Sequence, residues 1–271
     1  MQETIDQLLR VALEAATAAG REALSVQKAL SFKTMFKEDG SPATDGDIRA
    51  ERKIIEIIRA NFPRHHLIGE EFGEQPGDSA FTWVFDPIDG TWSFLNQETT
   101  ACVNLAVLRD GEPIVAVVYN PFTEELYQTA AGQPTTLNGI SLPVTHWETL
   151  GDGVLNYHLS KPFVSQIKTI IALWQDGHIG KLIHQGGAPA YSLALAAKGA
   201  HSAFVMGHRG KAPDPWTFPA GVLLVRNAGG RVTDLADREI DSVLHPSYVV
   251  ATSHPRVHDQ ILQLLAQYGF A

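Results

Sequence analysis

The tightest constraint in this sequence is the run Trp83-Val84-Phe85-Asp86-Pro87-Ile88-Asp89-Gly90-Thr91, where an apolar segment ends abruptly in two carboxylates three residues apart. A chain leaving a buried strand at that point presents several oxygens to one place. Pro87 fixes φ and Gly90 permits a tight bend, so Asp86, the Ile88 carbonyl and Asp89 can converge without strain. Such hard oxygen donors select magnesium or manganese over zinc. If Gly90 and Thr91 open a helix, their free N–H groups suit a phosphate beside the cations. The plainer reading is a turn, since Asp and Pro are ordinary turn residues.

Two more acidic segments bear on that choice. Ile68-Gly69-Glu70-Glu71 follows a short apolar strand, and a glutamate there can bridge cations held by neighbouring carboxylates. Alone, adjacent glutamates read as a solvated surface. Gly40 to Asp47 leads into a helix, where Asp45 or Asp47 serves equally well as a simple cap.

The formal charge of −9, without a dense Lys and Arg cluster, argues against nucleic-acid binding and leaves a small anionic substrate dependent on cations. The single cysteine, Cys102, lies in an apolar run and reads as a buried thiol in a reducing compartment. The first residues are acidic where a signal peptide is basic, and no apolar run approaches the roughly 18 residues of a membrane span. A cytoplasmic protein is expected.

Helical spacing predicts a first helix from Glu3 to about Leu30 and a second from about Asp47 to Asn61, joined by a polar loop from Lys37 to Asp45. Strand-like runs follow, including a hairpin turning at Asp110-Gly111. Beyond Val144 the pattern alternates between strands and helices, with helices near Pro162 to Gln175, Ala190 to Lys198, Pro215 to Ala228 and Arg256 to Tyr268. The expected organisation is an N-terminal α+β half, residues 1–142, and a C-terminal α/β half, residues 143–271, packed as one unit.

Taken together, Gly69-Glu70-Glu71, Asp86-Pro87-Ile88-Asp89-Gly90-Thr91 and Ala228-Gly229-Gly230-Arg231-Val232-Thr233-Asp234 resemble the inositol monophosphatase family over nearly the whole chain. The resemblance implies a layered αβαβα sandwich of the inositol monophosphatase and fructose-1,6-bisphosphatase type. It also implies hydrolysis of a small phosphate monoester with two or three magnesium ions, manganese being a substitute. Glu70, Asp86, the Ile88 carbonyl and Asp89 would hold metal. Asp47 and Thr91 match the pair that orients or deprotonates the attacking water, with Glu70 beside them. The backbone at Asp89, Gly90 and Thr91 matches the phosphate cradle, and Gly186-Gly187-Ala188 matches a substrate-contacting stretch. A homodimer is the family expectation.

Two departures stand out. Counting back from Ala228-Gly229-Gly230 puts Thr217 where the family has a metal-binding aspartate, and the nearest carboxylate is Asp214. Asp214 is either a replacement ligand or the cap of a helix whose first residue is Pro215; we assign it to the ligand set. Val205 stands where members acting on inositol phosphates carry a glutamate for ring hydroxyls, leaving His201, His208 and Arg209 as other polar candidates. The substrate is therefore a polyol or sugar phosphate, or alternatively histidinol phosphate, a 3′-nucleotide or fructose bisphosphate. A binding protein that keeps the fold without turnover is the reading Thr217 and Val205 favour; Asp47, Glu70, Asp86, Asp89 and Thr91 together favour catalysis.

Overall fold

Small residues at helical spacing allow the first two helices to lie close. Helix α1 (Ile5–Ala29) buries Leu8, Val11, Ala12, Ala15, Ala16, Ala19 and Ala23 on one face. Between it and α2 (Asp45–Asn61), the expected polar loop instead contains a small antiparallel pair, β1 (Thr34–Phe36) and β2 (Pro42–Thr44). The computed structural model describes residues 4–29, 32–38, 40–142, 147–159, 163–185, 187–207, 214–240 and 247–270.

Helices α1 and α2 cover one face of a large sheet. Its strands are β3 (His66–Gly69), β4 (Gly73–Gln75), β5 (Phe81–Asp89), β6 (Cys102–Arg109), β7 (Glu112–Asn120), β8 (Glu125–Ala130), β9 (Thr136–Leu137) and β10 (Ile140–Ser141), in the order β10-β9-β8-β7-β6-β5-β3-β4. The β3–β5 pair is parallel and the other neighbours are antiparallel. The β6–β7 turn falls on Asp110 and Gly111, both at positive φ, which matches the right-handed twist of the flanking strands. The continuous apolar runs of β6 and β7 reflect burial on both faces. Val103, Leu105 and Val107 join the α1/α2 core, while Cys102, Ala106 and Leu108 enter the core on the other side.

That second core is filled by α5 (Pro189–Ala197) and α6 (Pro219–Asn227), which follow α3 (Thr91–Leu95) and α4 (Val164–Gln175) in the chain. Every residue of α5 is buried, because sheets lie on both sides of it. The second sheet has the order β12 (Lys181–Ile183), β11 (Val154–His158), β13 (Ala203–Gly207), β15 (Tyr248–Thr252), β14 (Arg231–Thr233). Phe204 and Met206 of β13 point toward α5 and α6; Ala203 and Val205 point into an outer core shared with α4 and α7 (Pro255–Gln267). The layers thus run helix, sheet, helix, sheet, helix. Among the described residues no helix is long and apolar enough to cross a membrane.

Helix α7 is tied to β14 and β15 by His258, which is fully buried between the hydroxyls of Thr233 (2.7 Å) and Thr252 (3.0 Å). Burial holds its pKa at about 4, with Arg231 lowering it further and Asp237 and Asp259 opposing. Because the folded value lies below the ordinary 6.5, the imidazole's contribution to stability is complete above that pH and is lost as pH falls toward about 4. His258→Gln should therefore lose stability relative to the parent at pH 7.5, and the gap should narrow by pH 4.5 in parallel urea titrations. A gap that widens on acidification would contradict the assignment.

Candidate functional site

In a regular strand, residues three apart point to opposite faces. Asp86 and Asp89 do not. Asp86 pairs with Asn104 and Asp89 with Cys102, so three steps along β5 match two along β6 and one extra residue forms a bulge at Pro87-Ile88. Pro87 suits that position because it has no N–H to donate to the ladder. The bulge turns both carboxylates toward α5, while the Ile88 side chain goes to the α1/α2 core. The Asp86 side chain accepts the Ile88 N–H (2.9 Å), and the Asp89 Oδ2 accepts the N–H of Ala190 (2.7 Å) in the first turn of α5. Helix α5 has no side-chain cap of its own. Asp89 supplies the missing acceptor from across the interface.

Gly90 (φ +96°) opens α3, which is only five residues long. A Cβ at Gly90 would lie 3.0 Å from both the Ala188 Cβ and the Gly187 carbonyl. Glycine is needed there for conformation and for space, and the contact brings Gly187 and Ala188 up to the strand end. Gly186 lies outside the described residues, as do His208 and Arg209.

Helix α2 supplies Asp47 at the third position of a capping box: its Oδ2 accepts the Thr44 N–H (2.7 Å) and hydroxyl (2.6 Å). The capping role is real, yet it uses one oxygen. The other, Oδ1, faces the Thr91 hydroxyl at 3.4 Å, and that hydroxyl also donates to the Ile88 carbonyl at 3.2 Å. Asp45 instead accepts the Lys33 N–H (3.0 Å).

Glu70 leaves the end of β3 beside β5, and its carboxyl is near enough to Asp86 to push the Asp86 pKa up. Lys37 donates to Glu70 (2.6 Å) and Glu71 (2.7 Å). Burial works against the Lys37 ammonium, but these two bonds outweigh it and raise its pKa. Sequence reasoning missed Glu51. It is fully buried one helical turn after Asp47 and accepts the N–H groups of Glu71 and Phe72, each at 2.8 Å, so it holds the chain immediately after Glu70. The available signal was its spacing: a glutamate at i+4 from Asp47, on the face that carries Ala50 and Ile54.

Crowding marks the electrostatics. Burial pushes Asp86 well above the usual carboxylate range, reinforced by the charges of Glu70 and Asp89. Burial likewise lifts Asp89 to about 8, with the Ala190 N–H pulling down and Glu70 pushing up. Asp47 and Glu51 are each raised to about 7, again chiefly by burial. Among the described residues no three of these side chains already stand around one point as a finished ligand set. The donors are nonetheless all oxygen, anionic and short of counter-charge, which fits hard divalent cations.

Thr217 and Asp214 lie before α6. That helix begins at Pro219, with Phe218 in the capping position, so Asp214 is not its cap and the helix start expected near Pro215 is corrected. The Thr217 N–H bonds back to the Asp214 carbonyl (2.9 Å), closing a turn, and Asp214 is exposed. Val205 lies wholly inside the outer core. His201 is also buried, which depresses its pKa to about 4.

The model of the inositol monophosphatase family matches residues 4–269. The chain belongs to the inositol monophosphatase family. It is 30% identical over 263 residues to an inositol-1-monophosphatase of Synechocystis, covering 95% of this chain and 88% of that one. It is 35% identical over 236 residues to the Nus factor SuhB of Escherichia coli K12, covering 84% and 85%. The crystal structure of the suhB extragenic suppressor protein from Bartonella henselae superposes with a TM-score of 0.85 over 95% of this chain and 98% of that one, at 24% identity. Membership makes the chain a hydrolase of phosphate monoesters.

Gly90→Ala tests the corner directly. The positive φ and the 3.0 Å approach to Gly187 should cost about 1–3 kcal/mol in urea unfolding. An unchanged midpoint would mean that the corner relaxes freely.

Proposed function

We propose that this chain hydrolyses a small phosphorylated metabolite, of polyol or sugar phosphate type, with magnesium held by Glu70, Asp86, the Ile88 carbonyl and Asp89. The observation that carries the proposal is the gathering of carboxyls from three separate elements: Asp47 faces the hydroxyl of Thr91, and Glu70, Asp89 and Asp47 all lie close enough to Asp86 to push its pKa up. The family is magnesium-dependent, and manganese has the same preference for oxygen donors. Bound cations would neutralise the phosphate and lower the pKa of water near phosphorus.

The chain's own groups supply position. Asp47 is fixed by Thr44 and accepts through its remaining oxygen, so Thr91 and Asp47 form an acceptor pair that orients a water on the phosphate's open side. The backbone N–H groups of Gly90 and Thr91, at the start of α3, suit phosphate oxygens; α3 is too short for its dipole to add much. Lys37 stands against Glu70 as a counter-charge whose place a cation would take. Asp214, exposed on its turn, is left out of this ligand set.

The leaving group would meet Trp92, which is exposed beside Thr91 and packs against the exposed Phe36 with ring centroids 6.3 Å apart. With Val205 inside the outer core, this corner has no acceptor from β13 for a ring hydroxyl. D-myo-Inositol 1-phosphate is accordingly not expected to be uniquely preferred.

Phosphate release from a panel of monoesters should vanish in chelator and return with magnesium; turnover that persists after bound metal is shown to be absent would reject the proposal. Asp89→Asn should lower kcat by about 100-fold or more, since it removes ligand charge while leaving an oxygen for Ala190. Asp214→Asn should change the half-saturating magnesium concentration less than about twofold. A large shift there would return Asp214 to the ligand set.

A further inference from the structure

Asn104 occupies an unusual place for a carboxamide. It lies in the middle of β6, is 1% exposed, and has apolar neighbours on the strand, Val103 and Leu105. Its partner across the ladder is Asp86, and directly opposed residues share a face, so Asn104 stands on the same sheet face as Asp86 and Asp89.

Its two ends have different fates. The nitrogen donates to the backbone carbonyls of Trp216 (2.7 Å) and Thr217 (3.2 Å), the segment where a ligand aspartate is missing. Two carbonyls can only accept, so these contacts fix which end is nitrogen. The oxygen, the other end of a carboxamide on the face shared with Asp86 and Asp89, is buried with no donor among the described residues. A buried acceptor without a donor is costly unless something else meets it. The carboxyls that share its face act as acceptors: Asp86 accepts the Ile88 N–H and Asp89 the Ala190 N–H. What satisfies a carboxamide oxygen in such company is a cation or a water bound to one.

We propose that the Asn104 Oδ1 is a neutral oxygen donor to the divalent cation beside Asp86 and Asp89, directly or through one water, on the side where Thr217 supplies no carboxylate. This rests on the cation reading above but assigns a residue that the family motifs do not contain. A carboxamide oxygen adds no charge, so the site trades affinity for a rigid donor: the strand holds its backbone, and Trp216 and Thr217 hold its nitrogen.

Manganese binding, read from the free-ion electron paramagnetic resonance signal, tests this without reference to turnover. Asn104→Leu should weaken one class of manganese site by about tenfold. Asn104→Asp separates a ligand from a strut. It keeps an oxygen at the position and loses the nitrogen that holds Trp216 and Thr217, so a ligand role predicts binding at least as tight as in the parent, and a purely supporting role predicts weakening like that of Asn104→Leu. If the Leu variant does not fold, the Asp variant decides alone. Parent-like binding in Asn104→Leu, or equal weakening in both variants, overturns the proposal while leaving the cation reading intact. Failure of the parent itself to bind manganese overturns both.

Discussion

One extra residue in β5 governs the rest of the site. Without the bulge at Pro87-Ile88, Asp86 and Asp89 would face opposite sides of the sheet. With it, both enter the layer that contains α5, where they are buried close to the carboxyl of Glu70. The raised pKa values of Asp86 and Asp89 follow from that placement: burial disfavours both charges, and Glu70 disfavours each of them further.

The surrounding layers hold what electrostatics would separate. Asp89 is gripped by the first turn of α5, so the strand end of the large sheet and the helix between the sheets share one hydrogen bond. Asp47 is locked by the capping box of α2, and Glu51 on the same helix grips the chain after Glu70. Lys37, carried just beyond β1, is the one cation recorded in contact with Glu70 and Glu71 among the described residues. Stability is spent at this corner and recovered in the three apolar cores, as expected where a functional arrangement is held in place by its surroundings.

Much of this was legible in the sequence because the signals are local. The period of α1 and α2, the Asp110-Gly111 turn and the apolar strand ending in Asp86 each follow from a few adjacent residues. The layered αβαβα architecture came from the family resemblance, and the structure has it. The β1–β2 pair was missed because strands of three residues are too short to show a period, β1 being exposed throughout and β2 buried throughout. The start of α6 was misplaced because both Pro215 and Pro219 can open a helix, and only the turn closed onto the Asp214 carbonyl chooses between them. The roles of Glu51, beyond its place one turn after Asp47, and of Asn104 were hidden for a different reason. Each acts through backbone groups distant in sequence, and spacing along the chain carries no trace of such a contact.

Burying Asp86 beside Glu70 and Asp89 carries an electrostatic cost that a divalent cation would relieve, and calorimetry of Asp86→Asn reads that cost. The neutral amide keeps an oxygen for the Ile88 N–H and removes one buried charge. At pH 8 in chelator the variant should melt above the parent, and adding magnesium should raise the parent's Tm by more than the variant's. A variant that melts below the parent in chelator, or a parent indifferent to magnesium, would mean that no such cost is held at Asp86.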